Sequence, residues 1–165
     1  MKDTLIVYYS YEGNTELVAT VLSDRLGADL LSIKPVKEMK TKGFSKYFWG
    51  GSQVFMRRSP DLLSMEKDID DYKNIIIGTP VWAFSYAPPI RSLLNSRKIN
   101  GKKVAVYCCH QGGPGNTIEK MISKLEKENV IIGSEDFFHP KENIGQFEAK
   151  MDIWAESLKE KIGDL

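Results

Sequence analysis

Ile6-Val7-Tyr8-Tyr9-Ser10-Tyr11-Glu12-Gly13-Asn14-Thr15 reads as a strand running into the start of a helix. Residues 6–9 form an apolar, β-favouring run without polar alternation, as expected of a parallel strand buried on both faces. Residues 10–15 then turn tightly through Gly13 into an amphipathic segment. Such a junction suits a phosphate, because free backbone N–H groups and the positive end of the helix dipole both face an anion there. The simpler alternative is an ordinary βα turn in which Ser10 or Thr15 only caps the helix.

Strand-like and helix-like segments alternate along the rest of the chain. Strands are expected over residues 4–9, 28–33, 74–78 and 103–109, and over 130–133 with the following Phe137-Phe138. Residues 16–26 carry Leu17, Val18, Val21, Leu22 and Leu26 as an apolar stripe at helical spacing. Residues 89–94 begin at a proline, which suits a first helical turn. Residues 117–128 place Ile118, Met121, Ile122 and Leu125 on one face, and residues 146–162 do the same with Phe147, Met151, Trp154, Leu158 and Ile162. The alternation predicts an α/β, doubly wound parallel sheet of five strands with helices on both faces.

The chain has 165 residues, enough for a single domain over 1–165 with a full core. A net charge of +1 gives no reason to expect nucleic acid. No apolar run reaches membrane-spanning length, so no membrane association is expected. Met1-Lys2-Asp3-Thr4 leads straight into a strand, which suggests no signal peptide and a cytoplasmic location. Cys108 and Cys109 are adjacent on a strand and point to opposite faces, so buried, reduced thiols are expected, and no metal site. Residues 34–58 are irregular and basic: Lys34, Lys37, Lys40, Lys42, Lys46, Arg57 and Arg58 stand against Glu38 alone. With Phe44, Tyr47, Phe48, Trp49 and Phe55 they read as a solvated basic helix packed through its aromatics; the alternatives are a docking surface for an acidic partner, a site for a phosphorylated nucleotide, or aromatics that cover a cofactor or form a dimer contact.

Ligands of open parallel sheets bind beyond the carboxyl ends of the strands, where the strand order reverses. Three loops there have unusual composition. The first, 10–15, offers hydroxyls from Ser10 and Thr15 and an amide from Asn14, with no Lys or Arg. It lacks both the Gly-Lys-Ser/Thr ending of a P-loop and the three-glycine dinucleotide fingerprint, so a single phosphate monoester held by neutral donors fits best. The second, 78–89, presents Trp82, Phe84 and Tyr86 between prolines, a surface for a planar ligand or a plug for the core beneath. The third, 110–117, has three glycines in four residues, which lets the backbone approach a ligand closely.

Tyr-Ser-Tyr-Glu-Gly-Asn-Thr at 9–15, Gly-Thr-Pro-Val-Trp at 78–82 and the glycine-rich loop at 112–115 resemble the flavodoxin family. The resemblance implies strand order 2-1-3-4-5 and non-covalent FMN at the strand ends. It places Ser10, Glu12, Gly13, Asn14 and Thr15 at the phosphate, with Tyr11 among the cofactor-binding residues. It places Pro80, Val81, Trp82, Ala83 and Phe84 along the isoalloxazine, with Trp82 as the stacking ring and Thr79 among the cofactor-binding residues, and Cys109, His110, Gln111, Gly112 and Gly113 at its pyrimidine side. No catalytic residue is implied, since the cofactor carries the redox chemistry. Glu12 stands where many members carry Thr, so its carboxylate must point away from the phosphate. The loop 79–86 has no glycine, where many members use one for a peptide flip. The resemblance implies an electron carrier between redox proteins, as a monomer or weak homodimer. The alternatives are an FMN-dependent NAD(P)H oxidoreductase acting on a quinone or similar small-molecule acceptor, and a flavin-free interaction module.

Overall fold

A computed structural model describes residues 3–37, 57–96 and 98–163. The expected basic aromatic helix within 34–58 falls on residues 38–56, which lie outside the described residues. The elements run β1 (Thr4–Tyr8), α1 (Asn14–Leu26), β2 (Asp29–Ser32), β3 (Asn74–Trp82), β4 (Ser85–Tyr86), α2 (Pro88–Asn95), β5 (Lys103–His110), α3 (Thr117–Leu125), β6 (Val130–Phe138) and α4 (Ile144–Gly163).

Five parallel strands line up as β2-β1-β3-β5-β6, the expected order 2-1-3-4-5 once the short β4 is set aside. Alternation along the strands divides the core in two. Leu5, Val7, Ile75, Ile77, Val104 and Val106 point to the face covered by α2 and α3, through Ile90, Leu93, Met121 and Leu125. Ile6, Ile76, Ala105 and Tyr107 point to the face covered by α1 and α4, through Val18, Leu22, Met151, Trp154 and Leu158. The helical stripes read in the sequence are therefore the buried faces, with Leu17, Val21, Ile118, Ile122 and Ile162 at their margins. Both faces being covered explains why the central strands are apolar throughout.

Two differences from the expected elements bear on the site. Residues expected to form a loop after position 78 continue β3 as far as Trp82, and the chain folds back antiparallel onto β4, pairing Val81 with Tyr86 and Trp82 with Ser85. Thr, Val and Trp favour extended backbone, and this tendency prevails over the turn signal of Gly78 and Pro80. The strand expected at 130–133 runs unbroken to Phe138, with a register shift opposite Val104 and Ala105.

Candidate functional site

The loops after β1, β3 and β5 meet at one end of the sheet, around the point where strand order reverses between β1 and β3. Each pair of loops is tied by a specific contact. Trp82 packs edge to face against Tyr9 and Tyr11, with centroids at 5.6 and 5.8 Å. Gln111 donates from Nε2 to Oε2 of Glu12 at 3.1 Å. Gly115, at φ +54°, lies so close to Phe84 that a Cβ there would sit 3.1 Å from the Phe84 Cβ.

In the first loop, Gly13 takes φ +91° and serves as the N-cap of α1 without a side chain to close it. Ser10 Oγ accepts the N–H of Glu16 at 3.2 Å. Among the described residues no protein acceptor meets the N–H groups of Gly13, Asn14 and Thr15. Unsatisfied amides at a helix start are the donor set an anion requires, so these residues fit a phosphate. Glu12 does point its carboxylate elsewhere, toward Gln111. Asn14 Oδ1 accepts the backbone N–H of Lys141 at 3.2 Å, and Lys141 Nζ donates to the Glu12 carbonyl at 3.1 Å. Lys141 belongs to the connection between β6 and α4 and had no signal in the sequence.

Thr15 is buried beneath this turn. Its carbonyl accepts the hydroxyl of Tyr107 at 2.9 Å, and its side chain hydrogen-bonds Cys109. Burial pushes the Cys109 thiol up to about 12 and raises Cys108 as well, where the neighbouring Cys109 adds to the effect. Both cysteines are free, as expected, and both are neutral thiols at physiological pH. Among the described residues, no cluster of three or more metal-binding side chains forms.

The second loop closes as a two-residue turn whose central residues, Ala83 and Phe84, both take positive φ, 46° and 59°. Glycine or Asn normally fills such positions. Thr79 holds the hairpin from within: its hydroxyl donates to the Pro80 carbonyl at 2.9 Å and accepts the N–H of Ala87 at 3.0 Å. Lys120 reaches over from α3 to the Phe84 carbonyl at 3.3 Å. Phe84 itself stands exposed at the rim.

His110 anchors the third loop. Its Nδ1 accepts the N–H of Gly113 at 3.1 Å, which puts its proton on Nε2, 2.7 Å from Asp136 Oδ2. The Asp136 carboxylate also faces Lys150, whose ammonium bonds Glu135 Oε1 at 2.8 Å. Burial disfavours the Lys150 charge, but Glu135 and Asp136 more than offset it and its pKa is raised. His110 is thus a brace that sets the path of residues 111–113. The structure brings all three predicted loops together. Within them Thr15, Thr79 and Cys109 lie buried, and Ser10, Tyr11, Gln111 and Phe84 lie toward the surface.

The strand order, the convergent loops and the anion-ready helix start define the flavodoxin-like class of doubly wound proteins. The chain belongs to the flavodoxin family: the family model described as Flavodoxin matches residues 3–136. Among solved structures it is similar to a provisionally assigned flavoprotein from Bacteroides eggerthii DSM 20697, at 21% identity and TM-score 0.72, covering 93% of this chain and 98% of that one. It is also similar to a flavoprotein in complex with FMN from Lactobacillus acidophilus NCFM, at 22% identity and TM-score 0.64, covering 90% and 99%. The apo-form of the flavoprotein from the same organism matches at 25% identity and TM-score 0.61, covering 87% and 97%. Among curated proteins none matches the chain. No helix among the described residues is long and apolar enough to cross a membrane.

Proposed function

We infer that the protein binds FMN non-covalently at the three converging loops and carries electrons between redox proteins. The observation that carries this reading is the meeting of unsatisfied amides at the start of α1 with an aromatic hairpin and a glycine-rich loop at the strand-order reversal. Flavodoxins are themselves a standard illustration of ligand binding at that position. FMN, when bound, supplies reversible electron uptake at its ring system.

The amides of Gly13, Asn14 and Thr15 and the hydroxyl of Ser10 would hold the phosphate. Trp82, steadied by Tyr9 and Tyr11, would present its ring to the flavin, with Phe84 at the rim. Backbone groups of 110–113, fixed in place by His110, would meet the pyrimidine edge. Thr79 and Cys109 would support the site from beneath. Among the described residues of these loops, the thiols are held neutral by burial and His110 is engaged at both nitrogens. That suits a carrier.

Fluorescence titration with FMN, followed by anaerobic mixing of the complex with NADPH, tests the reading. Quenching of the flavin, and a visible spectrum that NADPH alone leaves unchanged, is the expected outcome. Rapid bleaching by NADPH would instead identify an NAD(P)H oxidoreductase. Failure to take up FMN at all would leave an interaction module on the same fold.

A further inference from the structure

We propose that Lys141 is the cation that makes the first loop select a phosphorylated flavin over its unphosphorylated form. The inference rests on the flavin reading above. The loop 10–15 contains no basic residue, and the fold supplies one from the opposite end of the chain.

The connection between β6 and α4 is shaped to deliver it. His139 takes φ +41°, donates its N–H to the His110 carbonyl at 3.0 Å, and gathers the N–H groups of Glu142 and Asn143 on its own carbonyl, each at 2.9 Å. Pro140 follows, and the chain reverses so that Lys141 faces the start of α1. There its backbone N–H is held by Asn14 Oδ1 and its ammonium by the Glu12 carbonyl. A Cβ placed on Gly13 would lie 3.3 Å from the Lys141 Nζ, so the ammonium stands directly over the helix N-cap.

By itself this is an unfavourable place for a cation, since the N-terminus of a helix carries positive partial charge. The acids nearest in sequence to these two groups are directed elsewhere, Glu142 toward His139 Nδ1 at 3.5 Å. Glu12 gives its carboxylate to Gln111, and Glu16, in the first turn, interacts with the Tyr8 hydroxyl. Among the described residues no carboxylate comes within ion-pair distance of Lys141. An anion between the ammonium and the amides of Gly13, Asn14 and Thr15 would turn this repulsion into attraction on both sides. A phosphate monoester brings a charge of about −1.5 to −2 at neutral pH. Riboflavin brings none there. The single contact to the Glu12 carbonyl uses one of three ammonium donors, so Lys141 can hold the turn and still meet the phosphate.

Dissociation constants for FMN and riboflavin, measured by fluorescence quenching on the wild-type chain and on Lys141→Gln and Lys141→Arg, test this. The expected result is an FMN affinity about fivefold weaker in Lys141→Gln, the scale of one exposed ion pair, with riboflavin affinity unchanged. Lys141→Arg keeps the wild-type preference. Added salt weakens FMN binding more steeply in the wild type than in Lys141→Gln. Unchanged FMN affinity in Lys141→Gln overturns the proposal, and so does an equal loss for both flavins, which would mean that the lysine only holds the loop. A wild-type chain that binds neither flavin removes the reading beneath it. A wild-type chain that binds FMN while the variant binds it equally well removes this inference alone.

Discussion

At Gly78 one methyl group decides whether the central strands fit together. A Cβ there would lie 2.1 Å from Cζ of Tyr107, its register partner on β5. The ring is fully buried and its hydroxyl is fixed on the Thr15 carbonyl, so it has nowhere to retreat. Gly78→Ala is therefore expected to lower stability by about 2–3 kcal/mol through overpacking, whereas Tyr107→Phe, which removes only the hydrogen bond, costs about 1 kcal/mol. Urea unfolding of both variants checks this, and equal losses would contradict it. The sequence shows the glycine but not its reason, because Gly78 and Tyr107 become neighbours only when β3 and β5 pair. Lys141 was invisible for the same cause. A lysine in a polar stretch carries no local sign that it will arrive over Gly13.

The β3–β4 hairpin is a strained element. Left-handed backbone costs a non-glycine residue about 1–2 kcal/mol, and two such residues follow one another at Ala83 and Phe84. The surroundings keep them there: Thr79 locks the hairpin from inside, Gly115 packs on Phe84, and Lys120 holds its carbonyl. Ala83→Gly should release strain while adding freedom to the unfolded chain, for a net gain of about 0.5–1 kcal/mol. Chemical denaturation measures it, and a destabilised variant would show that the alanine methyl contributes a contact. The absence of a glycine from 79–86 could be read from the sequence, as could the aromatic character of the segment. The hairpin could not, because Gly78 and Pro80 signal a turn locally while the ladder from Val81 to Tyr86 forms only in the folded sheet. By contrast, the strands, the helical stripes and the covering of both sheet faces were legible, since burial on both faces imposes an apolar pattern that no loop shares, while the division into two cores needed the structure.

The whole molecule stores its thiols and one phenol in neutral form between the two helical layers. Cys109 is pushed from 9.0 up to about 12, Cys108 is raised too, and Tyr107 lies well above its usual 10.0, each chiefly through burial. A raised folded-state value means stability that is complete below the unfolded value and is lost as pH climbs toward the folded one. Each thiol is then expected to remove about 1.4 kcal/mol per pH unit between roughly pH 9 and 12. Urea midpoints recorded from about pH 8 to about pH 11 should fall, and a flat profile would refute the assignment. Residues 34–36 run alongside residues 61–63. Pro35 bridges Leu62, the N–H of Val36 donates to the Asp61 carbonyl at 2.8 Å, and that of Leu63 donates to the Lys34 carbonyl at 2.9 Å. The chain therefore departs and returns at neighbouring points, sealed by its own two-rung clasp. Because both rungs are backbone bonds, side-chain substitutions at 34–36 or 61–63 leave this meeting point in place, whereas a proline at Val36 or Leu63 removes the donor of a rung and lets the two ends part.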